Sequence, residues 1–263
     1  MELLRKERVD RGIKVRTEGI YAISGWQEIL YLLMPRLLLI VGLVALPLIL
    51  EPFPYWKRVI NIMCAYAILS LSFDFLANYV GLANLGSALF TGVGGYLSAI
   101  FSLKLGLPLF LAIPLATLSG AVVCTLLLLP TLPLRGVYFA IVTLMYPLLF
   151  SRIIEALNIL GGTNGLSGVP GFEKALVEEY TVILVLLAFS FSLRRLVNED
   201  FGLVLRGIKD NDQAVKASGI NVTWMKAIAV FIAAVLGSFV GSYMVHLYMW
   251  AGLSLFALDF SVI

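Results

Sequence analysis

Residues 194–226 read RRLVNEDFGLVLRGIKDNDQAVKASGINVTWMK, 33 mostly polar residues in a chain that is otherwise one apolar run after another. That contrast decides the fold class. Irregular backbone is kept out of lipid because its amide and carbonyl groups find no partners there. Apolar runs broken by one long polar stretch therefore predict membrane-crossing helices with a single large insertion outside the bilayer. Hydrophobic residues make up 60% of the chain and charged residues 13%, against about 45–50% and 25% in soluble domains. A soluble core cannot hide that much apolar surface. The expected class is an all-α integral membrane protein, a bundle of six or seven transmembrane helices carrying a helical loop at 194–226.

Working outward from the polar stretch, a spanning helix needs about 20 apolar residues. Val59–Asn78, Leu107–Leu129, Gly136–Leu157 and Ala227–Trp250 meet that length. Thr181–Leu193 is short unless Glu179 and Arg194 at its flanks reach out to the interface. Leu37–Leu50 is short as well, although Ile29–Met34 extends it if the helix runs through Pro35 and Arg36. Ala83–Leu103 holds Gly86, Gly92, Gly94 and Gly95, and reads either as a full span or as a partly re-entrant segment. The domain division is then an N-terminal tail, 1–36, and a transmembrane domain, 37–263. The first 28 residues mix both charge signs with Leu and Val and lack a small-residue cleavage site. They read as a solvated or interfacial tail rather than a signal peptide.

With seven spans and the N-terminus inside, Lys and Arg divide 14 to four between the two sides, leaving Arg152 near a helix end. Basic residues are retained in the cytoplasm, so the tail and the 194–226 stretch are expected there and the Gly-rich segment 158–172 outside. The net charge of +3 is too small to imply nucleic acid. Cys64 and Cys124 both lie inside apolar runs and read as small packing residues rather than a disulfide.

Inside the polar stretch, Phe201, Val204, Leu205 and Ile208 recur at helical spacing. Asp210 is placed to cap a second short helix, with Gln213 reaching back from its third position, and Gly219 to end it. Ala214 and Ala217, three apart, give that helix a small-residue face that another protein's surface can approach closely. Elsewhere, Asp74 lies inside the Val59–Asn78 span, where an ionisable residue is expensive and normally faces the bundle interior. With Asn78 and Asn84 it either lines a pathway or makes a helix–helix hydrogen bond. His246, the one histidine, reads as a packed residue. Gly237 and Gly241, with Ser238 and Ser242 beside them, suit close helix packing. No phosphate-binding loop, HExxH pair, GxSxG elbow or Cys/His cluster occurs. The glycines of 161–171 follow no strand and precede no Lys-Ser/Thr pair, so they cradle no nucleotide. Bond-breaking catalysis is therefore not expected of this chain, and no cofactor is expected to bind it.

Three stretches carry a resemblance. RGIKDNDQAVKASGINVT (206–223), followed by Lys226, resembles the coupling segment of branched-chain amino-acid ABC transporter permeases of the LivM type. LRGVYFAIVTL (134–144) resembles the stretch entering a central helix of that family, and GTNGLSGVP (162–170) the external loop after it. The likeness runs in the family's order from about Ile60 to Ser242. It implies a multi-pass permease in the inner or plasma membrane of a prokaryote. Its implied partners are a second permease subunit, two cytoplasmic ATPase subunits that use the ATP, an extracytoplasmic substrate-binding protein and membrane lipid.

The resemblance also implies residue roles. Arg206, Asp210, Asp212, Ala214, Ala217 and Gly219 would contact the ATPase. Tyr138 and Thr143 would join Asp74, Asn78 and Asn84 along the substrate pathway. Thr163 and Asn164 would meet the binding protein. The sequence departs from the family at Leu82 and Ser87, where a polar residue and a histidine are usual. Family members also continue through further spans, so the chain is expected to be a shortened form. The implied substrates are branched-chain or similar small amino acids. Urea and short amides, carried by close relatives, are the nearest alternative, and an ion-coupled transporter or channel using Asp74 is a more distant one. An integral-membrane enzyme would need a polar catalytic cluster at the membrane boundary, and none of the right residue types converge.

Overall fold

The computed structural model describes residues 26–134 and 136–261. The expected tail lies outside the described residues up to position 25. From Trp26 the chain is helical: α1 is Trp26–Ile49, 24 residues, and contains Pro35 and Arg36 within its bounds. The extension through Ile29–Met34 that would bring this segment to spanning length is thus present.

The second unit begins at Pro47. Its helices are α2 (Pro54–Asp74), α3 (Ser87–Lys104), α4 (Leu109–Leu128), α5 (Val137–Leu157), α6 (Ala175–Asn198), α7 (Asp200–Ala217) and α8 (Val222–Tyr248). Their limits follow ordinary stop and start chemistry. Pro54 opens α2, where its missing amide hydrogen costs nothing, and Pro108 stands before α4. The axis of α2 continues through six π-helical residues, Phe75–Val80, and stops at Gly81, which takes the left-handed conformation. Among the described residues, five helices are long and apolar enough to cross a membrane: α2 with its π-helical continuation, α4 with its short extension to Thr131, α5, α6 and α8. The chain is an all-α membrane protein.

α8 is the centre. In its most apolar stretch 78% of residues are buried, against 17% for α6. α3 lies alongside it and buries 13 of its 18 residues. Both run the same way, since Gly237 meets Phe90 and His246 meets Ser98. This settles the ambiguous Gly-rich segment. α3 is one unbroken helix of about 27 Å at 1.5 Å per residue, close to the hydrocarbon thickness of about 30 Å. Its glycines, serines and threonine are tolerated because protein rather than lipid surrounds it. A Cβ on Gly94 would overlap the backbone of Ser238, and one on Gly241 the Thr91 carbonyl. The Ser242 hydroxyl donates to the Gly94 carbonyl at 3.1 Å, and Gly120 brings α4 against the same point.

Two elements differ from expectation. The short run Thr181–Leu193 is in fact α6, starting at Ala175, because Glu178 and Glu179 are accommodated. Asn61 Nδ2 donates to Glu178 at 2.7 Å, and Lys57 pairs with Glu179 at 3.4 Å, both from α2. The polar stretch 194–226 is helical as expected, but the insertion is shorter than those bounds. The first five residues of the stretch finish α6 and its last five begin α8, so the true insertion is α7 with tight turns on each side.

Beyond α8 the chain turns back into the bundle. β2 (Trp250–Ala251) pairs antiparallel with β1 (Leu166–Ser167), and two 3-10 turns, Leu253–Phe256 and Leu258–Phe260, then descend along α3. The Phe256 ring occupies the space a Gly92 side chain would need. Thr91 donates to the Leu255 carbonyl at 2.8 Å, and the Ala88 amide donates to Ser261 Oγ at 3.1 Å.

Because the obstruction at the α3–α8 contact is backbone, it cannot repack. Gly94→Val and Gly241→Val should each cost about 3 kcal/mol, the upper end for overpacking. The measurement is the thermal unfolding midpoint in detergent, with Leu118→Ala on the exposed side of α4 as the variant that changes it little.

Candidate functional site

α7 is built as a bracket. Its entry is tight: a Cβ on Gly202 would strike the Val197 carbonyl, so only glycine allows the chain to double back from α6 at Glu199. The first half of α7 is amphipathic. Gly202, Leu205 and Ile208 face inward, while Leu203, Lys209 and Asp210 are exposed. The helix then breaks at Asn211, whose backbone is extended (φ −157°, ψ 96°).

Asn211 Oδ1 accepts from the amides of Gln213 at 3.0 Å and Ala214 at 3.2 Å. The cap of the second half is therefore Asn211, not Asp210. A cap residue must itself leave the helical conformation, and Asp210 is still inside the first half. The end of α7 is as expected. Gly219 has φ +86°, its amide bonds the Lys216 carbonyl at 3.0 Å, and the Ile220 amide bonds Val215 at 3.4 Å. That pair of bonds is a Schellman termination.

The second half presents a definite face. Ala214, Ala217 and Gly219 are exposed together with Gln213 and Lys216, while Val215 turns inward toward Gly207. Asp212 is different from the other expected contact residues. Its carboxylate bonds Lys226 of α8 at 2.9 Å, and both side chains are about nine-tenths buried. Asp212 thus anchors the bracket rather than facing outward, and Lys226 neutralises it.

The first half of α7 grips the end of the α2 axis. The Arg206 guanidinium lies 5.3 Å from the Tyr79 ring centroid, and Lys209 Nζ donates to the Asn78 carbonyl at 2.9 Å. The Lys209 stem rests on Gly81. Asn78 in turn donates its side-chain amide to Asp74. Both residues are exposed, so Asp74 faces away from its own helices, not into their interior as an ionisable membrane residue is expected to.

The other expected pathway residues separate from this pair. Asn84 is buried and accepts from the Gly86 amide at 3.0 Å. Thr143 is buried, accepts from the Leu85 amide at 3.2 Å and donates to the Ala140 carbonyl at 2.9 Å. Both satisfy the irregular backbone between Gly81 and Ser87. Tyr138 is 74% exposed near the start of α5.

At the opposite end, Thr163 and Asn164 are exposed on a 3-10 turn, and Trp250 Nε1 donates to the Asn164 carbonyl at 3.0 Å. His246 Nδ1 lies 2.7 Å from the Pro170 carbonyl and Nε2 lies 2.8 Å from Ser98. A carbonyl only accepts, so Nδ1 carries the proton and Nε2 accepts from the serine hydroxyl. His246 is a fully used packing residue that ties the glycine loop to α3 and α8.

Sequence reasoning missed Asn211, Tyr79 and the Asp212–Lys226 pair. Only Gly81, directly after Asn78-Tyr79-Val80, marked where the α2 axis ends. The corrected cap makes a measurable difference. Asn211→Ala should speed amide exchange in 212–217 about fivefold, the equivalent of the ~1 kcal/mol that a lost cap costs. Asp210→Ala should leave it unchanged.

The profile of a family described as branched-chain amino acid transport system / permease component matches residues 56–262. The chain is 29% identical over 212 residues to the high-affinity branched-chain amino acid transport system permease protein LivM of Salmonella typhimurium, covering 67% of this chain and 49% of that protein. The Escherichia coli protein of the same name is 28% identical over 212 residues with the same coverage. The probable branched-chain amino acid transport permease protein LivM of Methanocaldococcus jannaschii is 28% identical over 216 residues, 67% of this chain and 63% of its own length. The chain spans about half the length of the first two of these relatives. No solved structure matches it. With a match across most of its length, the chain belongs to the family of branched-chain amino acid transport system permease components.

Proposed function

We propose that the chain acts as a membrane-spanning permease subunit of an ATP-driven importer for branched-chain or similar small amino acids. The family match supports the transport role, and the names of the relatives support the substrate class. The observation that carries the coupling role is the exposed small-residue face of Ala214, Ala217 and Gly219, held rigid by the Asn211 cap, the Gly219 termination and the Asp212–Lys226 pair. One of two ATPase subunits docks on that face, and the pair hydrolyse the ATP and drive alternating access. The chain itself binds no cofactor. A second permease subunit completes the pathway along the surface that exposes Asp74 and Asn78. A substrate-binding protein delivers ligand at the loop containing Thr163 and Asn164.

This assigns α7 to the cytoplasm and the glycine loop to the outside, in a prokaryotic inner membrane with the N-terminus cytoplasmic. The support is the concentration of Arg194, Arg195, Arg206, Lys209, Lys216 and Lys226 around α7. In a background lacking Cys64 and Cys124, a cysteine at Asn164 should react with a membrane-impermeant thiol reagent in intact cells and one at Lys216 should not. The reverse pattern inverts the orientation.

Ala217→Trp puts bulk on the docking face without disturbing the cap or the buried ion pair. Complexes purified from membranes should lose ATPase subunits or their substrate-stimulated hydrolysis. Full retention of both would remove the docking role. Asp74→Asn, which keeps shape but removes charge, should lower uptake at subsaturating amino acid while leaving assembly intact. Unchanged uptake excludes the charge from the pathway.

A further inference from the structure

The π-helical continuation of α2 adds six consecutive residues, Phe75–Val80, to a helix that is already 21 residues long. π-helical geometry is rare, and where it occurs it is mostly one turn long and often functional. Such a turn is held in place by its surroundings. Its restraints come from two sources. One is Gly81, whose left-handed conformation (φ +77°) lets its amide bond the Leu76 carbonyl, and the Leu82 amide reaches the same carbonyl at 3.0 Å. The other is the first half of α7.

Arg206 and Lys209 lie three residues apart and share one face of α7. Arg206 stacks on Tyr79, and Lys209 donates to the Asn78 carbonyl while its stem covers Gly81. Both cations sit at the C-terminal end of the α2 axis, where the helix dipole favours positive charge. Asn78 is the joint. Its carbonyl is held by Lys209, and its side-chain amide holds Asp74, the residue before the first π-helical position. A continuous line of contacts therefore leads from α7 through the π-helical residues to the exposed carboxylate.

We propose that Phe75–Val80 is the transmission element between α7 and the Asp74–Asn78 pair. The inference rests on the docking role of α7 and deepens it by naming how the movement enters the membrane. Arg206, Lys209 and Tyr79 are positioning residues. While they hold, the segment stays π-helical and Asn78 faces Asp74. When a bound ATPase displaces α7, Lys209 releases the Asn78 carbonyl. The segment then re-registers toward α-helix, and Asn78 swings relative to Asp74. This is a local two-state element biased from the far end, which is what coupling between separated sites requires. The hinge at Asn211 lets the second half of α7 keep its docking face while the first half moves.

The test uses the complete transporter reconstituted in proteoliposomes. Lys209→Met keeps the stem and removes the donor. ATPase subunits should stay bound, while amino acid transported per ATP falls about tenfold, the scale of one charge-assisted hydrogen bond. Lys209→Arg should restore it. A second measurement does not depend on that variant assembling. In a background lacking Cys64 and Cys124, Ala77→Cys in the π-helical segment should change its labelling rate about tenfold between the ATP-free complex and one trapped with ATP and vanadate, as a population shift between two states predicts. Equal labelling in the two states overturns the proposal, as does full coupling in Lys209→Met. Ala217→Trp separates the layers. If it leaves ATPase binding and turnover normal, the docking role falls and this inference with it. If it uncouples the complex while Lys209→Met transports normally, only the π-helical element is wrong.

Discussion

The close approach of α3 and α8 is the contact on which the rest of the bundle depends. In lipid, helices are not driven together by the hydrophobic effect, since the tails are as apolar as leucine. What remains is dispersion and hydrogen bonding, and both require backbones to come near. Gly94, Gly237 and Gly241 allow this, and Ser242 uses the proximity to reach the Gly94 carbonyl. α4 enters the same contact through Gly120. The 3-10 turns after α8 pack against α3 because Gly92 leaves room for Phe256. Any side chain at these positions would separate three helices and the returning segment together.

The second constraint is that irregular backbone inside the bundle must find partners within the protein. Three stretches need this, and each draws on a different helix: Thr143 of α5, Thr91 of α3 and His246 of α8. Asn84 and Thr143 serve the turn between Gly81 and Ser87. Thr91, with the amide of Ala88, serves the returning segment up to Ser261. His246 serves the glycine loop through Pro170 and fixes its own ring with Ser98. Asn84, Thr143, Thr91 and His246 are thus fastenings for non-helical chain rather than residues open to a ligand.

α7 buries Leu205 and Ile208 and adds cationic contacts and one buried ion pair to the membrane helices. A buried pair contributes little net stability but is costly to break at one end, commonly about 3–5 kcal/mol. The Asp212–Lys226 contact therefore fixes where the second half of α7 sits, whereas the exposed Lys209 contact is cheap to make and release. The bracket is firm at one end and yielding at the other.

Much of this was legible from the residues alone. The apolar runs marked α2, α4, α5 and α8 because length against bilayer thickness needs no tertiary information. The existence of α7, its inward Leu205 and Ile208, and its end at Gly219 follow from period and from the conformational freedom of glycine. The family resemblance lay in three local motifs, and the comparisons bear it out. What sequence could not decide was which way each helix faces. In water, apolar means inside; in a bilayer, apolar residues point equally well to lipid or to protein, so periodicity loses its direction. Hence Asp74 was expected in the interior and lies at the surface, and Asp212 was expected at a partner's surface and lies against Lys226. Thr181–Leu193 was short by its apolar residues alone, and α6 extends past it because Asn61 and Lys57 stand opposite Glu178 and Glu179. Asn211 rather than Asp210 caps the second half of α7 because only the packed chain chooses the residue at which the helix breaks. Charges and polar groups in a membrane protein take their meaning from their partners, and partners far apart in sequence are brought together by the tertiary structure alone.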